Sequence, residues 1–114
     1  MEELQGIVRF TFHAGMVDEF KRLSAECLEI VRSKDEGTLQ YDTYFNDNES
    51  QAIVLERFRD SDALILHSQN MAPFMEPIMA TGSVSGELLG DLSEELAAQM
   101  AGSPVGLFTL YQAL

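Results

Sequence analysis

A chain of 114 residues that is 46% hydrophobic and 23% charged has the make-up of one ordinary globular domain, here residues 1–114, with enough chain to bury a single core. Its net charge of −12 repels phosphate backbones and anionic lipid, so neither nucleic acid nor a membrane surface is an expected partner. No apolar run reaches the length of a membrane span. The start is acidic at Glu2 and Glu3 and lacks a basic-then-apolar signal. The single cysteine, Cys27, has no intrachain partner, so the expected address is the reducing cytoplasm.

Leu4 to Phe12 alternates as a strand, with Leu4, Gly6, Val8, Phe10 and Phe12 on one face and Gln5, Ile7, Arg9 and Thr11 on the other. His13-Ala14-Gly15 breaks it. From Met16 to Lys34 the apolar residues Met16, Phe20, Leu23, Cys27, Ile30 and Val31 recur at helical spacing, so a helix with one apolar stripe is predicted. Acids lead that segment and Arg32 and Lys34 end it, which suits the helix dipole. Gly37 closes it.

Thr38 to Phe45 and Gln51 to Phe58 are two β-rich runs around Asn46-Asp47-Asn48-Glu49-Ser50, a loop of residues that bond locally to their own backbone. They predict a hairpin. Asp60 or Ser61 then caps a second helix. Met71-Ala72-Pro73 is expected to interrupt this helix, because proline removes a donor and clashes with the preceding turn, and Pro77 is expected to limit a further turn or two around Phe74 to Ala80. Thr81 to Asp91 reads as a glycine-punctuated strand, Ser93 caps a last short helix, and Val105 to Gln112 reads as a final strand.

The order β-α-β-β-α-β, followed by a helix and an extra strand, predicts an α+β fold of the ferredoxin-like split βαβ kind, an antiparallel sheet with helices on one face. The other face is left open. Ile7, Tyr44, Ile53 and Leu55 are too apolar to meet water comfortably there, so a homodimer through the open sheet face is expected, with the final strand reaching the partner.

Phosphate loops, nucleophile elbows and metal-ligand spacings are absent, and no metal is expected: His13, His67 and Cys27 lie far apart in sequence. The sharpest candidate is His67, on one helix face with Ala63 and Asn70. Its side chain titrates near neutral pH and can take a proton from an acidic hydroxyl and return it. The competing reading is a partly buried structural histidine. Tyr41 and Tyr44, three apart on a strand, point to opposite faces, one under the helices and one over the open face. Arg9 and Arg57 either hold an anionic substrate or pair with Glu56 or another acid, and pairing is the commoner outcome in so acidic a chain. Met71, Met75 and Met79 form a spaced stripe beside His67, as core filler or as an adaptable pocket wall.

The run Gly37-Thr38-Leu39-Gln40-Tyr41, the return strand ending Leu55-Glu56-Arg57-Phe58-Arg59-Asp60, and the following Ala63-Leu64-x-x-His67 resemble the antibiotic biosynthesis monooxygenase family, including quinol monooxygenase-like proteins. The resemblance runs from the first strand to about Asp91. It implies a dimeric α+β barrel and a monooxygenase that oxidises a small phenolic or quinol substrate with dioxygen and needs no cofactor. It places His67 as the catalytic base or substrate anchor, with Asn70, Tyr44, Arg57, Met71 and Phe74 as substrate-binding residues. The absence of tryptophan sets the chain apart from haem-degrading relatives. Two other readings fit the same architecture: a non-catalytic small-ligand-binding or stress-response barrel, and an isomerase or lyase that moves protons without oxygen.

Overall fold

The computed structural model describes residues 3–114; the acidic start at Glu2 lies outside the described residues. Five strands and three helices alternate along the chain: β1 (Leu4–Phe12), α1 (Val17–Lys34), β2 (Thr38–Phe45), β3 (Gln51–Phe58), α2 (Ser61–Met79), β4 (Gly82–Leu89), α3 (Glu94–Met100) and β5 (Gly106–Phe108). The sheet order is β2-β3-β1-β4-β5. The first four strands pair antiparallel, and β1 lies between β3 and β4. This is the ferredoxin-like α+β arrangement the element order predicts.

Period-two alternation sorts the strand residues. The even positions of β1, β3 and β4 face the helices. Phe10, Ala52 and Val54 pack with Phe20 of α1. Leu4, Phe58 and Leu88 pack with Ala63, Leu64 and Ile65 of α2 and with Leu96 of α3. Cys27 and Val31 of α1 meet Met71 of α2 in a third cluster. Each Val, Leu, Ile, Phe or Met among them, fully withdrawn from water, contributes about 1.5–3 kcal/mol. The odd positions face outward, where Arg9 pairs with Glu87 and Arg57 with Glu3.

The hairpin loop closes without glycine because its polar side chains do the bonding. Asn46 Oδ1 accepts from the Gln51 amide at 3.0 Å and Asn48 Oδ1 from the Ser50 amide at 3.0 Å. Glu49 takes the left-handed position, φ 57°. At Gly37 the glycine is required: its φ is 91°, and a Cβ would stand 2.7 Å from that of Ala63, where the α1–β2 turn meets α2.

Two expectations are corrected. Helix α2 runs unbroken from Ser61 to Met79 with Pro73 and Pro77 inside it. Both prolines, and Gln69 whose carbonyl loses its partner, lie on the exposed side, where water replaces the missing bonds. Met71, Phe74 and Ile78 on the opposite side pack against the core and hold the helix together. The final strand is only Gly106–Phe108, and it runs parallel to β4, pairing Glu87 with Gly106 and Leu89 with Phe108. Strand β4 ends at Leu89, so the tail beyond Phe108 finds no ladder to join, and the sheet is mixed. Leu110 and Tyr111 in that tail are exposed.

Candidate functional site

His67 projects from the buried face of α2 into the helix–sheet layer, between Phe58 and Tyr41, whose ring centroids lie 5.1 and 5.5 Å from its own. Only 8% of its side chain is exposed. The sequence places it on a helix beside Asn70, and both sit as that spacing requires.

What fixes the imidazole is a residue that sequence reasoning missed. Helix α1 ends at Lys34, and Asp35, in extended backbone, turns the chain toward β2. Its side chain is fully buried, and its Oδ2 lies 2.5 Å from His67 Nδ1. Thr38 Oγ1 donates to the same oxygen at 3.0 Å, and Asn70 Nδ2 donates to Oδ1 at 2.7 Å. A carboxylate at a helix C-terminus works against the helix dipole. Here three donors, one of them able to carry positive charge, compensate it.

On the other side of the ring stands a second acid. Glu56 faces the helices from β3, in the row Ala52, Val54, Glu56, Phe58. Its side chain is 14% exposed, and Oε2 lies 3.7 Å from His67 Nε2, too far for a hydrogen bond. On the neighbouring strand β1, Gly6 is paired with it. A Cβ at Gly6 would come within 2.9 Å of Glu56 Oε1, so the glycine leaves the carboxylate its seat.

Burial opposes protonation of His67, but the charge of Glu56 and the hydrogen bond and charge of Asp35 outweigh it and hold its proton affinity above the ordinary histidine value. The imidazolium therefore persists to higher pH than it does in a free histidine. Tyr41 meets Cys27 side chain to side chain. Burial, then the Cys27, Glu56 and Asp35 charges, push the phenol well above its usual range. Burial pushes the Cys27 thiol up to about 11, so both are neutral donors near pH 7.

The other predicted site residues divide. Asn70 joins His67 through Asp35. Met71 is buried and Phe74 half-buried in the neighbouring cluster with Cys27 and Val31, one and two turns further along α2 from His67. Of the methionine stripe only Met71 is buried; Met75 and Met79 are exposed. Tyr41 packs under the helices while Tyr44 stands on the open face, 53% exposed. Arg57 is on that open face as well, its Nε 2.7 Å from Glu3 Oε1, so pairing prevails there. Neither Tyr44 nor Arg57 reaches the His67 side of the sheet.

Four surface clefts stand out among the described residues. One, about 560 Å³, runs between α1 and the edge strand β2 past Lys21, Leu28 and Tyr41. Another, about 440 Å³, opens over Asp35, Thr38 and Tyr41. Two more lie on β1, β3 and β4 and at the hairpin. None of the four includes His67.

Among solved structures, MupZ from Pseudomonas fluorescens is similar over 98% of this chain and 93% of its own, at 23% identity and a TM-score of 0.85. SnoaB, a cofactor-independent oxygenase from Streptomyces nogalater, is similar over 82% of this chain and 96% of its own, at 18% identity and a TM-score of 0.69. Rv0793 from Mycobacterium tuberculosis gives 81% and 97%, with 20% identity and a TM-score of 0.70. At such identities these likenesses show the fold. The MupZ structure alone of these three is matched across nearly the whole chain, α3 and β5 included. A search of the curated proteins found no match. The sequence profile of the antibiotic biosynthesis monooxygenase family matches residues 6–73, a span that holds Asp35, Glu56, His67 and Asn70, and the chain belongs to that family.

Proposed function

We propose that the protein is a cofactor-independent monooxygenase that oxidises a small phenolic or quinol substrate with dioxygen, as a homodimer. The observation that carries the reading is the His67 imidazole, buried beside the sheet and fixed at Nδ1 by a fully buried carboxylate at 2.5 Å. An electron-rich phenolate reacts with dioxygen directly once its proton is removed and water is kept away. Phenol plus dioxygen gives quinone plus water, with all four electrons drawn from the substrate, so no outside reductant is needed. Of the two roles the sequence allows His67, the raised proton affinity favours the anchor: an imidazolium donates to the substrate oxygen. SnoaB, a family fold described as a cofactor-independent oxygenase, supports the reaction class. The exposed Tyr44 and Ile53 on the open sheet face support the dimer.

The placement of His67 outside all four clefts favours a second reading, a binding protein of the same architecture in which Asp35, His67 and Asn70 only tie α1 to α2. Oxygen uptake with a panel of quinols decides. Uptake that is lost in His67→Ala, with the fold retained, is the expected result. Tight quinol binding without uptake would leave the second reading standing, and turnover that persists under nitrogen would mean proton transfer alone.

A further inference from the structure

The two carboxylates beside His67 are not equivalent. Asp35 is engaged on both oxygens, Oδ2 by His67 and Thr38 and Oδ1 by Asn70, and its side chain is sealed from solvent. No face of that carboxylate is open to a ligand. Glu56 is the opposite case. Among the described residues its carboxylate makes no hydrogen bond within 3.5 Å, and His67 Nε2 stands 3.7 Å from it. Yet among those residues no sealed side-chain oxygen or nitrogen lacks a partner. Both side chains are mostly buried yet keep a margin of exposure, 14% for Glu56 and 8% for His67.

On the sheet beside them, Gly6, across from Glu56, carries no side chain, and the Glu56 carboxylate fills the place a Cβ would take. Gly86 sits one strand further, paired with Val8. A Cβ there would meet only the Ile7 carbonyl, at 3.6 Å. The helix-facing side of β4 is thus bare at Gly86, one strand beyond the unsatisfied acid and its seat at Gly6.

We propose that Glu56 is the proton acceptor of this site, with Asp35 the positioning residue that aims the His67 imidazolium at the anion Glu56 creates. This assignment rests on the proposed phenol chemistry. The substrate O–H bond breaks, its electron pair stays on the substrate oxygen, and the proton forms a new O–H bond on the Glu56 carboxylate. The His67 Nε2–H then turns from Glu56 to the new oxyanion. The proton passes from the substrate to Glu56 and none leaves the site, so the charge of the site is the same before and after the step, and a neutral hydroxyl compound is ionised without adding charge to a buried site. A ligand that arrives as an anion would add one, and the overall charge of −12 repels it already. The site therefore selects neutral phenols. The other titratable groups that face the ring, Tyr41 from β2 and Cys27 behind it on α1, stay protonated through the step.

The test uses 4-nitrophenol, whose absorbance separates phenol from phenolate, with the full-length protein. Wild type is expected to bind it as phenolate at a pH where the free probe is still neutral. Glu56→Gln should bind it as neutral phenol and lower any quinol turnover by roughly 10²–10⁴-fold. Asp35→Asn should keep the capacity to ionise the probe but weaken its binding. If Glu56→Gln does not fold, Glu56→Asp, one methylene shorter, must still shift the titration of the bound probe toward that of free probe. Wild type that binds no phenol, or a bound titration unchanged by either Glu56 substitution, overturns the assignment. Oxygen uptake separates the two levels. Ionisation of the probe without uptake of oxygen sinks the monooxygenase reading and leaves Glu56 in place; uptake that ignores Glu56 does the reverse.

Discussion

Replacing Asp35 with Asn tests the buried network at constant shape. The amide fills the carboxylate's volume, so no cavity term enters. It changes one acceptor into a donor and removes the negative charge. Three donors now converge on Asp35: His67 at 2.5 Å, Asn70 at 2.7 Å and Thr38 at 3.0 Å. In the variant at least one of them faces an N–H, and the imidazolium keeps only Glu56, at 3.7 Å. Hydrogen bonds to charged groups are worth about 1.5–3 kcal/mol each, and breaking one side of a buried ion pair costs about 3–5 kcal/mol. A loss of about 3–5 kcal/mol at pH 6 is expected, read from urea unfolding at unchanged slope. The sign with pH follows from His67, whose folded proton affinity is raised. Its contribution is complete below the unfolded value of about 6.5 and is lost as pH rises from there through the folded value. Wild-type stability should therefore decline as pH rises above about 6.5, well below the range of the Cys27 thiol, pushed up to about 11. Asp35→Asn should decline less, and His67→Gln should remove this share of the slope. A cost below about 1 kcal/mol at pH 6, or one that grows toward pH 8, would refute the network as described.

Two further outcomes are expected. On the open sheet face, Ile53→Asp sets a charge on an exposed apolar position beside Tyr44; light scattering should show a dimer in wild type and a monomer in the variant, and a wild-type monomer at micromolar concentration removes the interface. Cys27, fully buried with its thiol held protonated, should react with a thiol reagent about a hundredfold or more slowly in native protein than in urea; equal rates would mean that α1 opens far more readily than its packing implies.

The fold was legible because its signals are local. Alternation in β1 and the hairpin, and the stripe of α1, each need only a short window of sequence. Errors arose where tertiary context decides. Proline at 73 and 77 argues for a broken helix, yet α2 continues because the lost bonds face water and Met71 and Phe74 are anchored. The final apolar run argues for a long strand, yet β4 offers it only three partners. At the site, His67 and Asn70 were readable from helical spacing. Asp35 was not: it stands 32 residues before His67, in an acidic stretch that looks like solvated surface. Glu56 left a usable trace, as the one charge in the inward row Ala52, Val54, Glu56, Phe58.

That trace also decides the fate of the arginine predicted beside it. Adjacent residues of a strand point to opposite faces, so Glu56 and Arg57 cannot both reach the helix side of the sheet. Once the apolar neighbours of Glu56 fix that row inward, Arg57 must face out, where it meets Glu3. The same parity carries Tyr44 outward, because it pairs with Ile53 on the odd row of β3, and turns Tyr41 inward to the His67 ring. A strand shift of one residue would put Arg57 against His67 and drive the imidazole to its neutral form. The register therefore does more than build the sheet. It places an acid rather than a base next to the one buried histidine, and so sets the charge with which that histidine meets a ligand.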